Sequence, residues 1–501
     1  MEENSNKIAY SKNMNKFTFN TTLTIPIDSN ANIKTILDVN TFLFDQKVEC
    51  GNGKAILSGK IGVRVFYLDT DNMTNSVYDH QSFNETYLDN FITSDTFINV
   101  LNYSIVNDVL SAENNLKINC EVSLTPVAYM NLMFSNKLNL NELLITKNSE
   151  INANTISNYI NTKFDHTLNL ETKDTVSKIL CYNTYFAPEK YSAEDGFMIV
   201  EGKIMSNIVY ETASDESVLV KQLNESTNIK CDVEISNLKK NDALDLSFMI
   251  DKSCSEISTE LEDNNSLITI KNKIQVCGVS FNEIALNIVD DLFSTDNEIE
   301  ATIAKREYTK KNETITLSEI ISNEVSLANN DPAIDEVVAN LNMTPEITNT
   351  YLKDSNIYIE GVVTSNLVFI NENKELQHKQ IEIPFIINTK IQTETLDCVH
   401  SDVSILDNKT KVKRGTIIEM EYALFISLNV YEKESRDIVD NFNIGKPLDF
   451  SKYDFQIYLG KPNETLWELC KRIKISPNDI HKHNKDLPLV MQGGEKIIIK
   501  R

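Results

Sequence analysis

At 501 residues and 57.0 kDa, with 41% hydrophobic and 8% aromatic residues, the chain is too long for one hydrophobic core and apolar enough to fold several domains. Its net charge of −25 repels nucleic-acid backbones and supplies no polybasic anchor for anionic lipid, which excludes both as general partners. The opening Met1 to Asn6 has no signal-peptide pattern, and no stretch offers the roughly 18–20 uncharged apolar residues of a membrane span, so a cytoplasmic location without membrane insertion is expected.

Residues 1–16 read as an N-terminal tail. Beyond them a glycine-centred pattern recurs three times, at Gly59, Gly202 and Gly361, and eight residues after each glycine stands an aromatic: Tyr67, Tyr210 and Phe369. Between glycine and aromatic two of the even offsets are apolar in every copy, Ile61 and Val65, Ile204 and Ile208, Val363 and Leu367. That is the period of a strand with one buried face. A glycine inside such a run marks a bulge or a close backbone approach.

Ahead of each glycine lies a second element: Ile33, Ile36 and Leu37; Val176, Ile179 and Leu180; Ile334, Val337 and Val338. The i, i+3, i+4 spacing predicts a short helix, and Asp331-Pro332 reads as a helix start. Later in each copy alternation returns, from Leu116 to Leu124, Ile268 to Val276 and Ile418 to Val430, predicting further strands. Three β-rich units are therefore expected over 17–150, 151–312 and 313–447, each a sandwich or open barrel with a short helix. The Asn-rich stretch from Asn136 to Asn161 reads as a linker.

The helix, the hydrophobic-Gly strand with its later aromatic, and Ile383-Pro384-Phe385 in the third copy together resemble SPOCS domains, repeats of endospore-forming Firmicutes.

From Phe455 to Lys500 the chain resembles LysM, a small α+β (βααβ) domain expected over 453–501. Phe455 to Leu459 fits its first strand and Lys461-Pro462-Asn463-Glu464-Thr465-Leu466-Trp467 its turn and helix start. Thr465 with Glu468 reads as a capping box, and Ser476-Pro477 opens a second helix. Ile480 and Asn484 match the family's inward aliphatic and its asparagine, and Gly493 to Ile499 its closing turn and strand. LysM modules bind N-acetylglucosamine polymers such as peptidoglycan, but Asn463 and Glu464 stand where Gly-Asp is usual, which weighs against carbohydrate binding here.

SPOCS repeats ending in LysM resemble the SipL-like spore morphogenetic family of clostridia. The resemblance implies a non-enzymatic adaptor of the mother cell, at the forespore surface and in the spore coat. Its LysM end would bind the coat-basement ATPase SpoIVA while its repeats hold other coat proteins or further copies of the chain; a peptidoglycan-binding wall protein is the alternative. On that reading Trp467, Leu466, Phe455, Ile457, Leu459, Lys471 and Arg472 form the partner-binding set. Trp467 is the chain's only tryptophan and reads equally as a packing residue and as an interface anchor. Lys471 and Arg472, with Lys474, would steer an acidic partner. From Tyr453 onward nine Lys/Arg face six Asp/Glu, against 39 and 67 before it, so a weakly basic end rides on an acidic body.

No HExxH, GxSxG, P-loop, GxGxxG or paired zinc half-site is present, so no catalytic residue, metal or cofactor is expected. His481 and His483 stand two apart on a predicted helix and diverge. The eight cysteines are scattered and read as reduced core thiols.

Overall fold

The computed structural model describes residues 7–26, 33–112, 115–134, 138, 144–213, 218–253, 256–262, 265–327, 332–391, 398–449, 455–484 and 486–500. The protein is mainly β, in antiparallel sheets that repeat one plan three times. In the first unit β1 (Lys7–Asn13) and β2 (Phe17–Pro26) follow each other along one edge of β7 (Asn115–Met133), and β6 (Phe97–Ala112) lines the other edge. The second sheet is β3 (Ile33–Gly51), β4 (Lys54–Asp69) and β5 (Thr74–Leu88) in that order.

The second unit places β8 (Leu144–Thr172) on one edge of β14 (Asn265–Ser294), with β12 (Ala243–Ile250) and β13 (Glu256–Glu262) on the other. Its second sheet is β9 (Val176–Glu194), β10 (Phe197–Ala213) and β11 (Val218–Glu234). In the third, β15 (Asn297–Ser326) and β19 (Cys398–Lys413) flank β20 (Ile417–Pro447), beside a sheet of β16 (Ile334–Lys353), β17 (Asn356–Asn371) and β18 (Leu376–Lys390). The inner faces of the two sheets of each unit share one apolar core, the arrangement of a β-sandwich.

Gly59, Gly202 and Gly361 lie on the middle strands β4, β10 and β17, and opposite each the preceding strand bulges. A Cβ on Gly202 would come 2.4 Å from the Ala187 carbonyl and 2.8 Å from the Phe186 ring, and one on Gly361 2.3 Å from the Phe385 ring. A phenyl ring and a bulged backbone fill the space a side chain would need. Tyr67, Tyr210 and Phe369 are all buried in their unit's core. Pro384 is exposed on the edge strand β18, where a missing N–H costs nothing, between buried Ile383 and Phe385.

The three predicted helices are strands. Ile33, Ile36 and Leu37 lie on β3, Val176, Ile179 and Leu180 on β9, and Ile334, Val337 and Val338 on β16. Each strand carries two bulges in the same place, skipping Lys34 and Leu37, Ser177 and Leu180, and Asp335 and Val338. Each bulge inserts an unpaired residue and flips the alternation. The first two apolar residues of each trio therefore face their own core, while Leu37, Leu180 and Val338 leave it. Two bulges in a strand reproduce helical spacing, which is why the pattern misled. Asp331, the expected helix cap, lies outside the described residues.

The unit borders also move. Those expected at 150/151 and 312/313 fall inside β8 and β15, and β1 occupies part of the expected tail. Residues 144–161 of the expected linker form the first part of β8, with Ile151, Ala153, Ile156 and Ile160 buried. Asparagine fills outward positions there, and a bulge at Ser157 breaks the alternation that would have announced a strand.

The three sandwiches close on one another. Leu37, Phe66, Leu180, Val209, Val338 and Val368 meet in one apolar knot shared by all three units. Phe66, Val209 and Val368 hold the seventh position after their glycines. Two residues earlier each unit hands a hydrogen bond to the next: Arg64 Nη1 to the Tyr182 carbonyl at 3.1 Å, Asn207 Nδ2 to the Asn340 carbonyl, and Asn366 Nδ2 to the Leu37 carbonyl at 2.6 Å. A buried amide chain runs alongside, from Asn40 to Asn183, on to Asn342 at 3.3 Å and from Asn342 to Asp38 at 2.7 Å.

Beyond β20 a C-terminal module follows in the order β21 (Phe455–Leu459), α1 (Leu466–Ile473), α2 (Pro477–His483) and β22 (Lys496–Lys500), with the two strands paired antiparallel. No helix among the described residues is long and apolar enough to cross a membrane.

Candidate functional site

The module is small, and its local chemistry fixes it tightly. Thr465 Oγ1 accepts from the Glu468 N–H at 3.2 Å while Glu468 Oε2 accepts from the Thr465 N–H at 2.8 Å, a closed capping box. Ser476 caps α2 with Pro477 in its first turn. Asn484 donates to the carbonyls of Ile480 (3.0 Å) and Ile498 (2.8 Å) and accepts from the Ile498 N–H (2.8 Å), tying the end of α2 to β22. Leu469, Cys470, Ile473, Ile480, Ile497 and Ile499 are the buried centre.

The loop before α1 is closed around Glu464. Its carboxylate takes a bidentate grip from Arg472, Nε to Oε1 at 2.6 Å and Nη2 to Oε2 at 2.9 Å, and accepts from the Lys461 N–H at 3.1 Å. Hydrogen bonding from Arg472 outweighs partial burial and holds the Glu464 carboxyl below its usual range. Asn463 takes the left-handed conformation, φ 63°, that asparagine tolerates where glycine is usual. Glu464 is thus spent on Arg472 and the loop backbone.

The expected partner-binding residues divide into two groups. Phe455, Ile457 and Leu459 project from one face of β21, 57%, 58% and 58% exposed, and Ile498 sits opposite Ile457 on β22, 42% exposed. These four form one open apolar strip on a two-stranded sheet. Trp467 and Leu466 are half-buried, and Trp467 is turned into the protein: its indole N–H donates to Asp291 Oδ2 at 2.8 Å, and its ring meets Phe293 edge-on at 5.2 Å. Lys471 reaches the other oxygen of Asp291 at 2.5 Å. Burial of Asp291 is outweighed by the Lys471 and Trp467 hydrogen bonds, which hold its carboxyl below the usual range. Lys471 and Arg472, expected as free steering charges, are both neutralised within the chain.

Asp291, Phe293 and the open Ile498, Leu489 and Val490 went unmarked in the sequence. Asp291 and Phe293 belong to β14, 176 residues before Trp467 in the case of Asp291, and no local pattern links them. Ile498 was legible as an outward position, since β22 alternates with buried Ile497 and Ile499.

One buried titratable cluster lies where the three units meet. Asp245 of β12 accepts from Tyr129 Oη of β7 (2.8 Å), Tyr431 Oη (2.5 Å) and Asn429 Nδ2 (2.6 Å) of β20, and lies 2.6 Å from His400 Nδ1 of β19. Asp245 is 1% and His400 2% exposed. Burial would raise the Asp245 carboxyl, but His400, Lys311 and the hydrogen bonds pull it far below the usual range. Closed on all sides, the cluster offers a substrate no entry; it joins units. A narrow cleft at the seam of the first two units is lined by the uncharged Gln46, Asn99, Asn161, Ser247, Gln275 and Cys277.

His481 and His483 are exposed on α2, and among the described residues no group of three or more His, Cys, Asp or Glu is placed to hold a metal ion. No known protein family, curated protein or solved structure matches the chain.

Proposed function

We propose that the chain is a non-enzymatic adaptor of spore coat assembly, SipL-like in its plan of three SPOCS-type units and a LysM-type module. The module binds the coat-basement ATPase SpoIVA, and the units serve as its platform at the forespore surface in the mother cell. The observation that carries the reading is the open strip of Phe455, Ile457, Leu459 and Ile498. A contiguous exposed apolar surface on so small a module is the mark of a protein contact. The engagement of Glu464 with Arg472 in the neighbouring loop supports a protein ligand over a sugar, because a carboxylate committed to an internal ion pair has little left for hydroxyls.

The test is capture of purified SpoIVA by the full chain and by Ile457→Asp, an exposed site whose change spares the core. A charge at the centre of the strip should cost about 2 kcal/mol or more, roughly a thirtyfold loss of affinity. Full-strength capture by the variant would remove the strip from the contact. Wild-type protein that binds peptidoglycan and not the ATPase would overturn the reading.

A further inference from the structure

We propose that the C-terminal module is latched onto the end of β14 by Trp467 and Lys471, and that the closed latch withholds the Leu466–Trp467 surface from the module's protein partner. The inference rests on the module being a protein-binding one.

Trp467 and Lys471 stand four apart on α1, so they share one helix face. The single carboxylate of Asp291 holds both, one oxygen on the indole N–H and the other on the ammonium. Phe293, fully buried, belongs to β14 yet packs in the core of the module, together with half-buried Ile145 of β8. Opening the contact uncovers Phe293 on one side and Trp467 with Leu466 on the other.

The polar half of the latch is light, which leaves the burial of Phe293 as its main hold. Its ion pair is open to solvent, with Asp291 and Lys471 side chains 21% and 40% exposed, and such pairs are weak. The uncovered face would also extend a surface that is already open. Leu466 donates its N–H to the Leu489 carbonyl and Thr465 bridges Val490, and Leu489 and Val490 are 77% and 50% exposed. A partner seated on Leu489 and Val490 and advancing over Leu466 competes with Asp291 and Phe293 for the indole. A latch that is closed most of the time lowers apparent affinity by the fraction of open molecules.

Trp467 is the only tryptophan, so its fluorescence reports the latch directly. The full chain and its Asp291→Ala variant are compared by emission maximum, acrylamide quenching and affinity for purified SpoIVA. The variant should shift emission to the red, quench several-fold more readily, and bind the ATPase about tenfold tighter. Raising the salt concentration should move wild type part of the way, since the ion pair is screened. Unchanged emission and quenching in Asp291→Ala would overturn the latch. A red-shifted variant that binds no tighter than wild type would overturn its inhibitory role. Should neither protein bind the ATPase, the functional reading fails, and the inhibitory role with it, while the emission shift still decides whether the contact exists.

Discussion

The perturbation that best tests how the units are joined is Asp245→Asn. The carboxylate accepts hydrogen bonds from Tyr129 of the first unit and from Tyr431 and Asn429 of the third, and pairs with His400 of the third, while itself belonging to the second. Asparagine keeps the shape, removes the charge, and points an amide N–H2 at donors. Removing one partner of a buried charge pair costs about 3–5 kcal/mol, and each buried donor left unsatisfied about 1–3. Lys311 worsens the balance: burial pulls its ammonium down to about 8, so it remains charged at neutral pH, and Asp245 is its counter-charge. Against a domain stability of about 5–15 kcal/mol, a loss of about 4 is large. Urea unfolding followed by far-ultraviolet circular dichroism should show a midpoint lowered accordingly. The control is Asp165→Asn, at a side chain 80% exposed and 3.8 Å from Lys273, expected to stay within about 0.5 kcal/mol of wild type. A loss below about 1 kcal/mol for Asp245→Asn would refute the cluster as a joint between units.

Further outcomes follow from the same packing. Burial lifts the Asp38 carboxyl to about 6 despite hydrogen bonds from Asn366 and Asn342, so between about pH 4 and pH 6 the folded state holds a proton that the unfolded chain has released. The Asp38 contribution to stability should therefore fall as pH rises through that window. Wild type should lose about 2–3 kcal/mol more than Asp38→Asn between pH 4 and pH 7, and equal pH profiles in thermal melts would contradict this. Gly202→Ala should cost about 1–3 kcal/mol or more because its Cβ meets the Ala187 carbonyl at 2.4 Å, whereas Gly51→Ala, with nothing within 4 Å, should be near neutral; equal melting temperatures would refute the close-approach account. Leu180→Ala, in the shared apolar knot, should lose about 2–5 kcal/mol in the same denaturation assay, and a loss under about 1 would argue that the knot is loosely packed.

What the sequence made legible is what short-range chemistry determines. The glycine strands, their buried even offsets and the later aromatics follow from period two, and Thr465, Glu468, Ser476, Pro477 and Asn484 mark the ends of α1 and α2 from within a few residues. The bulged strands were illegible because a bulge changes parity without changing composition: Leu37, Leu180 and Val338 look like the third member of a helical face when they are the first contact of the inter-unit knot. The joints were illegible for a different reason. Asp245 lies 116 residues from Tyr129 and 155 from His400, and an isolated histidine in a strand carries no sign of its partner. Among the positions that pass hydrogen bonds between units, Arg64, Asn207 and Asn366 are equivalent in place, but arginine in the first copy against asparagine in the other two obscures the common role.

The relative weights of these joints bear on how the chain would move. The knot around Leu37, Leu180 and Val338 buries ten apolar side chains from three units, and full burial of such a side chain stabilises by about 1.5–3 kcal/mol. A polar chain through Asn40, Asn183 and Asn342 runs beside it, and the Asp245 cluster adds a second tie. Separating one unit would expose apolar surface and leave buried amides and a carboxylate unpaired together, so the three sandwiches should move as one body. The module, by contrast, is held among the described residues by the burial of Phe293 with Ile145 beside it, worth about 1.5–3 kcal/mol, and by an aromatic contact, an indole hydrogen bond and a partly exposed ion pair worth about 1 kcal/mol each. A force or a partner acting on the chain therefore meets its lowest barrier at Trp467 and Asp291. Regulation of binding is accordingly expected there rather than by rearrangement among the repeats, and amide exchange should show α1 opening while β7, β14 and β20 remain protected.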